Sequence, residues 1–139
     1  MGETCQDKCW AVDYKKYYAS DFYFLSGVDQ MKAELYKNGP ISCGVQATDT
    51  FEEYTGGVYK EHIEYPQLNH EIAVVGWGVT DQGEEYWIGR NSWGTYWGEA
   101  GFFKMTMEKG YDLGITTDCS AGIPSFDSPW KKDETFILQ

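Results

Sequence analysis

Residues 68–103 read LNHEIAVVGWGVTDQGEEYWIGRNSWGTYWGEAGFF, and the reading of this stretch decides the fold. Ile72-Ala73-Val74-Val75 is a short apolar run with the length of a buried strand. A polar turn separates it from Tyr86-Trp87-Ile88-Gly89-Arg90, a second strand-like run. His70 stands at the mouth of the first run and Asn91 at the end of the second. An imidazole half sunk among apolar groups can titrate near neutrality. If the two strands lie side by side, the Asn91 side-chain oxygen can accept an N–H of His70. That bond would fix the tautomer and orientation of the ring, the task of the third member in a nucleophile–base–orienter set. Trp93 could cap the pair and exclude water, which strengthens the bond. Gly94, Gly98 and Gly101 stand among Trp93, Tyr96, Trp97 and Phe102, a mixture suited to a tight loop in which rings fill the space that glycines leave.

Taken singly, a histidine near a strand is a core or surface histidine, and an asparagine before serine is a turn. Together and in order they are specific. NHEIAVVGWG (69–78) resembles the histidine segment of the papain-like cysteine peptidases, and YWIGRNSWGTYWGEAGFF (86–103) resembles their asparagine segment. The resemblance implies His70 as general base, Asn91 as its orienter, and Trp93 as a screen that borders the leaving-group side of a peptide cleft. It extends outward to NGPISCGVQATDTFEEYTGGVY (38–59), which is similar to the cathepsin Z-like branch of that family, and to YDLGITTDCSAGIP (111–124). On this pattern Gly44 lies in a wall of the pocket for the second substrate residue. Glu71 stands where the family has a small or apolar residue; a carboxylate there would favour basic substrate side chains or stabilise the imidazolium of His70, unless it points to solvent. The branch trims single residues from peptide C-termini, so a carboxypeptidase-like activity is implied, together with peptide or protein substrates, protein inhibitors and no cofactor.

The family's nucleophilic cysteine sits in a Cys-Gly-x-Cys-Trp setting on the order of 130 residues or more before the histidine. No such motif precedes His70, and the oxyanion-hole glutamine is absent as well. Cys9-Trp10 is a decoy: it stands too near His70, lacks the Cys-Gly-x prefix, and has Cys5 as a disulfide partner. The expectation is an α+β fold that is the C-terminal, β-barrel-like half of the papain fold, with one capped helix and short helices. A leading loop from the preceding half would span residues 1–25, the barrel-like domain 26–124 and a tail 125–139. The partner implied is the N-terminal half. A homologue that only binds peptides or inhibitors, and a half-domain pairing with a separate chain, are the alternatives. A hydrolase built on Ser92 lacks a nucleophile-elbow pattern.

Local signals fill in the frame. Ser26 with Asp29 forms a variant capping box, and Val28, Met31, Leu35 and Tyr36 fall at helical spacing. Asn38-Gly39-Pro40 ends that helix. Ile41–Ala47 reads as a strand, Thr50–Tyr54 as a short helix started near Thr48 or Asp49, and Phe102–Met107 as a strand. Ala11–Leu25 alternates aromatic residues and reads as extended chain across a surface.

Four cysteines, Cys5, Cys9, Cys43 and Cys119, are an even count. In a secreted or lysosomal protein they suit a small loop bridge at Cys5–Cys9, and the family pattern pairs Cys43 with Cys119; in a reducing compartment all four would be thiols. MGETCQ lacks the apolar core of a secretory signal, and Gln6 breaks the myristoylation pattern. The net charge of −11 excludes nucleic acid and anionic membrane surfaces as partners, because both need basic patches. No apolar run reaches membrane-spanning length. His62 is the one other histidine, too little for a zinc site.

Overall fold

A computed structural model of the chain describes residues 16–127. Along them run β1 (Tyr18–Leu25), α1 (Val28–Lys37), β2 (Ile41–Val45), α2 (Asp49–Glu52), β3 (Val58–Tyr59), β4 (His70–Val79), β5 (Glu85–Arg90), β6 (Phe102–Thr106) and β7 (Cys119–Ser125). All seven strands belong to one sheet in the order β1-β7-β2-β4-β5-β6-β3. The class is α+β, as expected. β3 runs parallel to β6, and the other strand pairs are antiparallel.

The β4–β5 hairpin is the centre of the sheet. Its turn closes with Thr80 N–H on the Glu84 carbonyl, 2.9 Å. Register runs from Val79↔Glu85 to Ala73↔Arg90, with an irregularity between Val74 and Gly76. That extra residue, Val75, stands outside the ladder as a bulge. One face buries Val74, Trp87, Phe103 and Met105 completely. Met31 of α1 and Phe51 of α2 pack into the same core.

Tyr18–Leu25, read from the sequence as extended chain within the leading segment, is a strand. It is an eight-residue edge strand paired with β7 along its whole length. Tyr23 and Leu25 turn inward against the core, while Phe22 and Phe24 are exposed. β7 runs one residue into the expected tail, to Ser125.

The helix forms where its apolar spacing places it, but its cap differs. Gly27 is the N-cap and no side chain caps the helix. The Ser26 backbone N–H instead donates to Gln30 Oε1 at 3.1 Å, so Gln30, and not Asp29, answers Ser26. Tyr36, expected on the apolar face, is exposed. Its place is taken by Glu34, buried because Tyr23 Oη donates to its carboxylate at 2.6 Å and Asn38 Nδ2 at 2.7 Å; a buried carboxylate needs such partners. The second helix starts as expected, with Thr48 Oγ1 accepting from Phe51 N–H at 3.1 Å.

Candidate active site

β4 begins at His70, and β5 ends at Arg90 with Asn91 next in the chain. The last ladder pair is Ala73↔Arg90. Continued three positions further, that register sets residue 93 opposite residue 70. The hairpin alone therefore brings His70, Asn91 and Trp93 together.

His70 Nε2 lies 2.8 Å from Asn91 Oδ1. The Ser92 backbone N–H donates to the same oxygen, also at 2.8 Å. A backbone N–H can only donate, so the atom it meets must be the amide oxygen and not the NH2 group. The Asn91 amide is thereby locked with its oxygen toward the imidazole. Nε2 must then carry the proton, and Nδ1 is left to accept one. Asn91 is 7% exposed, and its Nδ2 has no hydrogen-bond partner among the described residues.

The imidazole lies on the indole of Trp93, with ring centroids 4.7 Å apart and planes at 26°. Trp93 is backed by Trp97, edge-on at 5.1 Å, and by Phe51, tilted at 6.0 Å. Trp97 is anchored by its Nε1–H on the Glu52 carbonyl, 2.8 Å. The loop that carries these rings closes on itself through Asn91 N–H to the Gly101 carbonyl and Gly101 N–H to the Trp97 carbonyl. It needs a glycine at 98, where φ is +56° and a Cβ would stand 2.6 Å from the Phe102 carbonyl oxygen.

On the other side, Asn69 holds the residue before the histidine. Its Oδ1 accepts from Ala47 N–H at 2.7 Å and its Nδ2 donates to the Ala47 carbonyl at 3.2 Å. This pair of bonds continues the β2–β4 ladder one step beyond Val45↔His70. Sequence reasoning treated Asn69 as no more than a polar neighbour. It also missed the Ser92 N–H, which any residue but proline supplies.

Gly44 is buried and faces Leu68, whose Cδ1 would stand 3.0 Å from a Cβ at 44. The wall expected at Gly44 is therefore clad by Leu68, 38% exposed. Glu71 is exposed on the outer face of the sheet, where Ser42 Oγ donates to its Oε2 at 3.0 Å. Glu71, Ser42, Arg90 and Ser92 border a concavity of about 370 Å³ beside Asn91. His62 is remote from this group and packs on Tyr111, 4.9 Å between centroids.

Cys43 of β2 and Cys119 of β7 form a disulfide, with Cα atoms 4.1 Å apart. They face one another in the ladder. Cys5 and Cys9, and the bridge expected between them, lie outside the described residues.

The chain resembles known proteins in sequence and in fold. The family model described as papain family cysteine protease matches residues 2–123. A cathepsin Z from Onchocerca volvulus is 41% identical over 126 residues, covering 85% of this chain and 41% of that protein. Cathepsin B-like protease 1 from Arabidopsis thaliana is 33% identical over 132 residues, covering 91% of this chain and 35% of its own length. Among solved structures, the digestive procathepsin L2 proteinase of Tenebrio molitor larval midgut superposes with a TM-score of 0.69 at 31% identity, over 76% of this chain and 34% of the other. The bromelain protease of Ananas comosus, solved with the E64 inhibitor, gives a TM-score of 0.68 at 29% identity, over 76% of this chain and 51% of the other. The chain thus spans less than half the length of the curated relatives it matches.

Proposed function

Because the chain belongs to the papain family of cysteine proteases, we propose that it supplies the base and orienting groups of a thiol peptidase, with the thiolate delivered by a segment beyond the described residues. The observation that carries this reading is the Asn91 oxygen shared between Ser92 N–H and His70 Nε2. It leaves Nδ1 as the one imidazole atom able to take a proton. A thiol that transfers its proton to Nδ1 becomes the nucleophile. The thiolate attacks the peptide carbonyl, and the imidazolium returns the proton to the departing amine as the C–N bond breaks. Water then attacks the thioester, giving a proton to Nδ1 and releasing the acid. Asn91 holds the ring throughout, and Trp93 covers the His–Asn bond from one side.

The likeness to a cathepsin Z supports the finer assignment, a carboxypeptidase-like enzyme acting on peptides in a lysosomal or secreted setting. Gly44 with Leu68, and Glu71, are the substrate contacts of this reading. The outer face of the sheet, with Phe22, Phe24 and Phe102 exposed, is where the half that carries the thiolate would pack. Among the described residues no helix is long and apolar enough to cross a membrane.

A second reading has its own observation: no Cys-Gly-x-Cys-Trp motif precedes His70 in this sequence. A chain that works without one binds peptides or inhibitors and does not cleave them. The deciding experiment labels native protein from its source with an epoxysuccinyl peptide that alkylates active thiolates. Peptides of this chain recovered with a labelled Cys-Gly-x-Cys-Trp peptide support the peptidase; recovery at 139 residues with no labelled partner supports the binder.

A further inference from the structure

Outside the site, the densest polar cluster gathers on one carboxylate oxygen. Glu61 Oε2 accepts from Thr48 Oγ1 at 2.7 Å, Thr50 Oγ1 at 2.8 Å and Tyr59 Oη at 2.5 Å. The Thr48 hydroxyl has a single proton. With that proton committed to Glu61, its lone pairs face Phe51 N–H, the bond that caps α2. The carboxylate thus orients the cap as well as anchoring it.

What the cap holds is close to His70. Phe51 is fully buried, and its ring stands 6.0 Å from Trp93, which stacks on the imidazole. Ala47, the residue before the cap, makes the two hydrogen bonds with Asn69, the residue before His70. Two separate routes therefore lead from Thr48 to the imidazole, one through rings and one through backbone.

We propose that Glu61 is a positioning residue for His70: through the hydroxyl of Thr48 it fixes the start of α2, and so the Phe51–Trp93 backing and the Ala47–Asn69 clamp. Its functional meaning rests on the peptidase reading, but the geometry does not. A carboxylate suits the task because it accepts three hydroxyls on one oxygen, and hydrogen bonds to a charged acceptor are roughly twice as strong as neutral ones.

The test reads geometry directly. The chain has 2 histidines, so the imidazole resonances of His70 are resolved from those of His62 by one substitution of His62. In the full chain the Trp93 ring current displaces them. Glu61→Ala loses most of that displacement, and so does Thr48→Val, which keeps shape and removes the hydroxyl. Thr48→Ser restores it. Glu34→Gln, at a carboxylate anchored by Tyr23 and Asn38 on α1 and off this route, leaves it unchanged. Unfolding midpoints are recorded in parallel, and if Glu61→Ala does not fold, the Thr48→Val and Thr48→Ser pair decides. A His70 displacement that survives Thr48→Val, or one that Glu34→Gln moves as much, overturns the proposal. Thiol labelling of native protein tests the peptidase reading separately, so either can fail without the other.

Discussion

A Cβ placed on Gly89 would lie 2.1 Å from Cζ of Phe103. Gly89 and Phe103 are register partners on β5 and β6, and the tip of the ring occupies the space that a side chain at 89 would fill. Phe103 is fully buried and packs edge-on against Phe51 at 5.2 Å. Gly89 is two residues from Asn91, so a shift of this ring moves the strand end that presents the orienter. Gly89→Ala is expected to destabilise the chain by about 1–3 kcal/mol, the range for overpacked cores. Denaturant unfolding checks it; a loss within 0.5 kcal/mol, the usual range for surface changes, would mean that the ring can move aside.

Asn91→Ala removes the oxygen shared by His70 and Ser92. In the active full-length protein, kcat is expected to fall on the order of 10²-fold, the scale associated with a misplaced catalytic group. KM should change little, because Asn91 is buried and placed to touch His70, not substrate. A KM effect as large as the kcat effect would remove Asn91 from the orienting role.

Glu71→Val tests the outer-face carboxylate. Glu71 meets Ser42 Oγ and has no cationic partner among the described residues within salt-bridge distance. If it faces substrate, the variant should lose preference for Arg-bearing over Leu-bearing peptides, by roughly 10-fold for an opposite-charge contact of about 1–1.5 kcal/mol at intermediate dielectric. Unchanged selectivity would place Glu71 outside the pocket.

Residues 68–103 were legible because their chemistry is local. A hairpin with His70 at one end and Asn91 at the other sets its own register, and the sequence shows both ends. The helix at Met31 and Leu35 and the cap at Thr48 were legible for the same reason. Tyr18–Leu25 was legible as extended chain but not as a strand of the sheet, because its pairing with β7 at the other end of the chain leaves no local mark. Glu34, Glu61 and Asn69 were opaque for a related reason. Each also has a partner outside its own element, Tyr23 for Glu34, Thr48 for Glu61 and Ala47 for Asn69, and the fold alone brings that partner to it.

Loss of the Cys43–Cys119 bridge should cost about 2–4 kcal/mol, since the cross-link closes a long loop in the unfolded chain. Both residues are buried in the core, and they join β2, which lines the Gly44 wall, to β7. The double substitution of both cysteines by alanine, followed by denaturant unfolding, gives the number. Because β2 also carries the partner strand of His70, the same variant should broaden the His70 imidazole resonances. Sharp resonances at their native positions would show that the β2–β4 ladder holds without the bridge.

Glu99 predicts an acid-dependent loss of stability. Burial alone would raise its carboxyl, but the Gly57 N–H at 3.0 Å and the Lys104 ammonium at 3.1 Å outweigh it and hold the group below its ordinary value of 4.5. A group depressed in the folded state stabilises the fold above its unfolded value, and that contribution is lost as pH falls through the folded one. The gap in unfolding free energy between the native chain and Glu99→Gln should therefore be constant from neutrality down to about pH 5, then narrow as the pH drops below 4.5. Glu99 is about one-third exposed, so the gap is small and shrinks further with salt. A gap that widens on acidification would reverse the sign and show that burial, and not the Gly57 and Lys104 contacts, governs this carboxyl.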